Sequence, residues 1–305
     1  MRIQSLRDYH LFFPDLDGFW DPLNLAETES RIRMALPNSK EVTGPLHVAA
    51  VTQAVRLFSL QNKMPQAKEF LRYAEHFLLD LDPEEKTKLQ VRFFLEEGRF
   101  FNLSMNPVRA LESFRKAWLL SQDVKKLDYL AIDAAFMISV TLQAKQGKDW
   151  FNVAFGMAEG SELSSPAAKW KSYLFAEAGW KAFDSKEYGA ALTFFEKAAV
   201  ASEINNYFSR TVKWSIARVK RALGDIDEAL ALQNNLLFEM TDKLEPNAFI
   251  YLEIAECYQA KHELSKAAPN FQRAYEGLQN NEWYSENYVN ELKDILKKSK
   301  FKKYH

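Results

Sequence analysis

The sequence predicts an all-α fold, a linear stack of about six helix hairpins, and three observations carry that prediction. The first is a pattern recurring at an interval of 38 residues from Gly179 onward. Gly179 is followed by Tyr188, Ala191, Phe195 and Ala198; the next copy runs Ala217, Ile226, Ala229, Gln233 and Leu236; the third runs Ala255, Leu264, Ala267, Phe271 and Ala274. Small residues seven apart, with a bulky one between them at the fourth place, share one helical face. The small residue twelve places earlier lies on a preceding helix, so two backbones approach closely while a larger side chain fills the gap. Such a unit cannot bury its apolar face alone, and copies therefore stack. The second observation is proline placement. Asp21-Pro22, Gly44-Pro45, Asp82-Pro83, Asn106-Pro107 and Ser165-Pro166 each set a capping residue before a proline. Proline suits the first helical position because its missing N–H would be unpaired there in any case. The third is the lack of any persuasive strand: the chain reads as about fourteen helices with short connections.

Taken in order, residues 1–44 form an N-terminal cap or arm with one helix from Pro22 to Leu36. Phe12, Phe13, Phe19 and Trp20 suit it to cover the first repeat, to occupy the groove of the array as a self-ligand, or to dock on a second subunit. Residues 45–281 hold the repeats. Met64, Ala67, Leu71 and Ala74 match the second half of the template, and Gly98, Pro107, Ala110, Phe114 and Ala117 match it in full. Trp150, Val153, Met157 and Gly160 read as a degenerate copy. The anchors Ala67, Ala110, Val153, Ala191, Ala229 and Ala267 are then spaced 43, 43, 38, 38 and 38 residues apart. Asp82 with Glu85, and Asp225 with Glu228, have capping-box spacing. Pro65 and Pro246 open helices, whereas Pro269 falls inside one and predicts a kink or a later start. Residues 282–305 give a C-terminal capping helix, Ser285 to Ser299, with Tyr288, Leu292, Ile295 and Leu296 inward. A basic run of Lys297, Lys298, Lys300, Lys302 and Lys303 accompanies it, suited to a helix C-terminus.

The chain resembles the tetratricopeptide repeat superfamily, whose units carry small and aromatic residues at these offsets. Phe94, Phe175 and Tyr251 stand where the family places an early aromatic plug. The resemblance implies a right-handed α-solenoid whose first helices line a concave groove for an extended or helical peptide. Carried over position by position, the groove residues are Arg56, Arg99, Trp180, Arg218 and Glu256, with Ser59, Asn102, Phe183, Arg221 and Gln259 three places on. Arg92, Tyr173, Glu177 and Trp214 face the same way. Trp, Tyr and Arg dominate binding energy at interfaces, and Arg clamps carboxylates in bidentate fashion. The implied partner is a protein or a peptide with acidic and apolar side chains, with self-association through the N-terminal arm as a further option. Thr52 and Arg56 stand where the chaperone-binding members carry a carboxylate clamp, so that specificity is not expected.

Composition limits the alternatives. A chain of 305 residues is long for one compact core and ordinary for an array that grows by addition. A net charge of −1 and a pI near 6.6 give no bulk attraction to nucleic acid. No stretch is apolar enough for a membrane span and no secretory signal is visible, so a cytoplasmic protein is expected. The single Cys257 cannot form an internal disulfide and reads as a buried apolar side chain. The ten glycines form no phosphate-binding loop. His10, His47, His76, His262 and His305 have no partner at metal-ligand spacing. Asp15, Asp17, Gly18 and Asp21 form a turn rather than a calcium loop. No cofactor, metal site or catalytic residue is expected. The leading expectation is a non-enzymatic binding scaffold. A peptide-sensing regulator of the bacterial quorum-sensing receptor type and an enzyme with an unrecognised site remain the alternatives.

Overall fold

The computed structural model describes residues 20, 25–36, 45–78, 83–122, 124–142, 144–162, 166–202, 207–240 and 248–278. The predicted C-terminal helix and lysine run, Pro246, and the arm before Trp20 lie outside these residues. Among the described residues there are thirteen α-helices and no strand. A first helix, α1 (Leu25–Ala35), precedes six hairpins: α2 (Pro45–Leu60) with α3 (Met64–Phe77), α4 (Pro83–Leu103) with α5 (Pro107–Ser121), and α6 (Asp128–Thr141) with α7 (Ala144–Gly160). They continue as α8 (Lys169–Asp184) with α9 (Tyr188–Ala201), α10 (Tyr207–Leu223) with α11 (Ile226–Met240), and α12 (Ala248–Ala260) with α13 (Leu264–Leu278). We call the first helix of each hairpin A and the second B. The chain divides into two compact units, residues 1–174 and 175–305.

Prolines start the helices where the sequence places them. Pro45, Pro83 and Pro107 open α2, α4 and α5, and Asn106 caps α5 by accepting from the Arg109 N–H at 3.2 Å. Pro166 opens a short 3₁₀ turn, Pro166–Ala168, before α8 rather than α8 itself. Pro269 sits inside α13, which begins at Leu264, so the later start is corrected. The buried stripe Ala267, Phe271, Ala274 and Leu278 carries α13 past the proline, which lies on the exposed side.

The seam of each hairpin is the small–bulky–small template. A Cβ on Gly98 would lie 2.4 Å from the Phe114 ring, and one on Gly179 would lie 3.0 Å from the Phe195 ring. Each glycine is the clearance for the ring facing it. Ala67, Ala110, Ala191, Ala229 and Ala267 are all buried, as their anchor role requires. Val153 is not: it is 40% exposed, and Gly160 is exposed as well. The buried face of α7 is instead Gly147, Phe151, Ala154 and Ala158. Gly147, Phe151 and Ala154 are the true third copy, with buried Ala135 twelve places before Gly147. A Cβ on Gly147 would meet the carbonyl oxygens of Leu142 and Ser139 at 2.6 and 2.8 Å, so only glycine fits.

Five of the six A–B turns are built alike. The residue seven places after the small A-helix residue has positive φ: Asn62 (58°), Met105 (57°), Lys186 (64°), Gly224 (97°) and His262 (61°). The next N–H closes back on the helix, as Lys63 to the Phe58 carbonyl, Asn106 to Phe101, Glu187 to Ala182, Asp225 to Lys220 and Glu263 to Tyr258. This left-handed cap satisfies carbonyls that the helix end leaves without a partner. In the α6–α7 hairpin the corresponding Leu142 is extended (φ −81°, ψ 145°). The plug residues Phe94, Phe175 and Tyr251 are each covered by a cation six places after the B-helix anchor: Lys116, Lys197 and Arg273, at 5.2, 5.6 and 5.2 Å from the ring centres.

Candidate functional site: the A-helix faces

Numbering each A helix from its small residue (Val55, Gly98, Ala135, Gly179, Ala217 and Ala255) brings the predicted groove residues into columns. One place after it stand Arg56, Arg99, Phe136, Trp180, Arg218 and Glu256. Two places before it stand Gln53, Glu96, Asp133, Glu177, Ser215 and Glu253. The geometry joins the two columns: an arginine of one repeat meets the carboxylate of the next.

In unit 1, Arg56 Nη1 lies 3.6 Å from Glu96 Oε1. Arg99 Nη1 donates to Glu96 at 2.9 Å, and Arg99 Nη2 donates to both Asp133 oxygens at 2.5 and 2.7 Å. One helical turn to either side of the ladder, Arg92 donates to the Tyr129 hydroxyl at 3.2 Å and Asn102 donates to Thr141 Oγ1 at 2.9 Å. Ser59 turns inward to the Val55 carbonyl. Tyr173 packs edge-on against Phe136 and Trp170. The four charged side chains of the Arg56–Glu96–Arg99–Asp133 ladder are 1–3% exposed. Burial, and then the charge of Arg99, push the Arg56 guanidinium down to about 9. Burial works against the charge of Arg99 too, but Asp133 and Glu96 outweigh it and raise its pKa.

Unit 2 repeats the device in a different setting. Trp180 is buried edge-on against Phe195 and beside Trp214, whose Nε1 donates to the Phe249 carbonyl at 3.3 Å. Glu177 is buried as well. Arg218 Nη1 donates to Glu253 Oε1 at 2.7 Å, and Arg221 Nε donates to Glu253 Oε2 at 2.9 Å. Arg221 also pairs with Glu256. The Arg218 guanidinium stands over the Trp214 and Phe183 rings at 5.3 and 5.6 Å. Here only Glu253 is fully buried; the Arg218, Arg221 and Glu256 side chains are 12, 22 and 29% exposed, and Gln259 is exposed. Burial and the neighbouring Glu253 charge raise the Glu256 carboxyl, with Arg221 and Arg218 opposing. The Arg221 guanidinium is held above its ordinary value by Glu253 and Glu256 in spite of burial.

On these A-helix faces the sequence reading named the charged residues Arg56, Arg92, Arg99, Glu177, Arg218, Arg221 and Glu256. Arg56, Arg92, Arg99, Tyr173, Trp180 and Trp214 are buried structural contacts in the chain as it stands, while Arg218, Arg221, Glu256 and Gln259 reach solvent. It missed the carboxylates Glu96, Asp133 and Glu253, for which a signal existed: an acid two places before the small residue of the repeat after an arginine. Among the described residues no group of three metal-ligating side chains is present, and no helix is long and apolar enough to cross a membrane. Burial pushes the Cys257 thiol up to about 12, away from the thiolate that nucleophilic chemistry needs.

Against known proteins, the fold is of the tetratricopeptide-repeat type. A signal-transduction ATPase (STAND) protein with a tetratricopeptide repeat sensor, from Pyrococcus horikoshii, superposes with a TM-score of 0.60 at 14% identity, over 89% of this chain and 42% of its own. The apo form of RapI gives 0.59 at 14% identity, over 84% and 71%. The apo form of the quorum sensor NprR from B. thuringiensis gives 0.57 at 12% identity, over 98% and 89%. The chain thus spans less than half the length of the archaeal protein. No protein-family model and no curated protein matches the sequence.

Proposed function

We propose that this chain is a non-catalytic binding module that engages a peptide or protein segment through the A-helix face of unit 2. The observation that carries the reading is the Arg218–Arg221 pair. Both guanidiniums are oriented by one buried carboxylate, Glu253, yet both keep an edge in solvent beside Trp214 and Phe183. A preorganised guanidinium loses less freedom on binding than a mobile one. A ligand carboxylate would take the place of the half-buried Glu256 on Arg221, and an apolar neighbour would lie by the aromatic rings. The preferred ligand is a segment with acidic and apolar side chains. Two of the similar structures are described as sensors, which supports a second reading, a peptide-responsive regulator that uses the same face.

The test is a random-peptide selection on the full chain, followed by titration of the enriched peptides. Enrichment of Asp or Glu next to Leu or Phe is expected. Arg221→Ala then weakens capture by at least about tenfold, the scale of one charge-assisted hydrogen bond, while Glu256→Gln tightens it by removing the internal competitor. Enriched peptides that bind Arg221→Ala as well as they bind the parent chain would remove this reading.

A further inference from the structure

A cavity of about 240 Å³ opens between α3, α4 and α5 of unit 1, and none of its lining residues belongs to the arginine ladder. Its floor is apolar: Leu71 of α3 with Phe93 and Phe100 of α4, all three buried. Lys68 and Arg72, one turn apart on α3, and Arg109, in the first turn of α5, line it with exposed side chains. The Arg109 guanidinium stands over the Phe101 ring at 4.2 Å, which orients it without engaging a carboxylate. Among the described residues, none of these three cationic side chains has an ion pair or a hydrogen bond. Two carboxylates also border the cavity. Glu97 Oε2 accepts from the Ser113 hydroxyl at 2.7 Å, and Glu75 is exposed. Three cations against two carboxylates leave one positive charge over.

The repeat pattern shows why the space is there. The place after the B-helix anchor holds Leu111, Leu192 and Leu230 in three other hairpins, each buried or half-buried. In α3 that place holds Lys68, which is exposed. A lysine lays its stem along apolar surface and sends its ammonium to water. The room a leucine would fill stays open, and a charge is set beside it. We propose that this cavity is a binding site for a small aromatic carboxylate, its ring on Phe93 and Phe100 and its carboxylate between Lys68, Arg72 and Arg109. The volume lies below the roughly 300–1,000 Å³ of pockets for drug-sized ligands, which limits the ligand to one ring with a short acid tail. Arginine suits a carboxylate because its planar fork can donate two parallel hydrogen bonds. A monoanion matches the single surplus charge. A dianion such as phosphate would set its second charge against Glu75 and Glu97 and would leave the apolar floor uncovered. The proposal stands apart from the peptide reading of unit 2, because it concerns other residues and another ligand.

Calorimetric titration of the full chain with phenylpropionate, its uncharged amide and inorganic phosphate tests it. The acid is expected to saturate one site, and the amide and phosphate each to bind at least about tenfold more weakly, the scale of one charge-assisted hydrogen bond. Lys68→Leu restores the residue of the other hairpins, so it should fold with an unchanged or higher melting temperature and bind the acid at least about tenfold more weakly. Arg109→Gln should weaken the acid by a similar factor. No saturable binding of the acid to the parent chain overturns the proposal. Amide or phosphate binding as tight as that of the acid overturns it too, and both comparisons use the parent chain, so they hold whatever a variant does to folding. A folded Lys68→Leu chain with undiminished affinity would also contradict it.

Discussion

The two A-helix faces use one device and reach different ends. In unit 1, Arg99 is held by Glu96 and Asp133, all three buried, and Arg56 is buried beside them. In unit 2, Arg218 and Arg221 converge on a buried Glu253 but retain solvent on one edge. An arginine fixed in a dry ladder has no edge in solvent to offer a visitor. One fixed from below and wet from above does. The comparison separates two roles that residue type alone cannot: Arg99 and Arg218 occupy the same repeat position, and burial decides which is mortar between repeats and which is a contact.

Breaking the ladders should show the difference directly. Asp133→Ala leaves the Arg99 guanidinium without its bidentate acceptor in a dry site, and urea denaturation should report a loss of about 3–5 kcal/mol. Glu253→Ala removes the shared acceptor of two arginines that can turn to water, and the loss should be smaller, about 1.5–3 kcal/mol. An equal loss at both sites would break the comparison. The smallest effect belongs to Glu256→Gln, under about 0.5 kcal/mol at neutral pH, since the group is partly solvated. Its sign with pH is informative. The folded pKa of Glu256 lies above its ordinary 4.5, so the folded chain binds the extra proton just above that value and stability falls as pH rises through the folded pKa. Thermal melts of Glu256→Gln across that range should lack this contribution, and an unchanged pH profile would contradict the raised carboxyl.

Much of the architecture was legible because close packing leaves marks in the sequence. Gly98 and Gly179 exist where a ring faces backbone, and a 38-residue interval exposes such marks by repetition. The misplaced copy at Val153 shows the limit. With Ala110 and Ala191 fixed, Val153 divides the distance evenly enough to attract the template, whereas the true anchor Gly147 lies 37 residues after Ala110 and 44 before Ala191. The α6–α7 turn is also the one without the left-handed cap, although Ala135 and Gly147 keep the twelve-residue offset of the other copies. Gly147 with Phe151 and Ala154 satisfied the small–bulky–small rule all along; an assumption of even spacing hid it. The candidate site was legible only by column. Nothing local in the sequence distinguishes Arg99 from Arg218, because their exposure is set by residues a whole repeat away, Asp133 for one and Glu253 with Glu256 for the other. The carboxylates were overlooked for the same reason: each becomes meaningful only when paired with an arginine of the repeat before it, Arg56 for Glu96, Arg99 for Asp133 and Arg218 for Glu253.

Two double-mutant cycles measured side by side, Arg99→Ala with Asp133→Ala and Arg221→Ala with Glu256→Ala, probe the distinction most directly. A coupling of about 2–3 kcal/mol in the first cycle and under about 0.7 kcal/mol in the second is expected, since burial strengthens the one and solvent screens the other. Couplings of equal size would mean that both arginines serve the fold alike, and that unit 2 offers no better contact than unit 1.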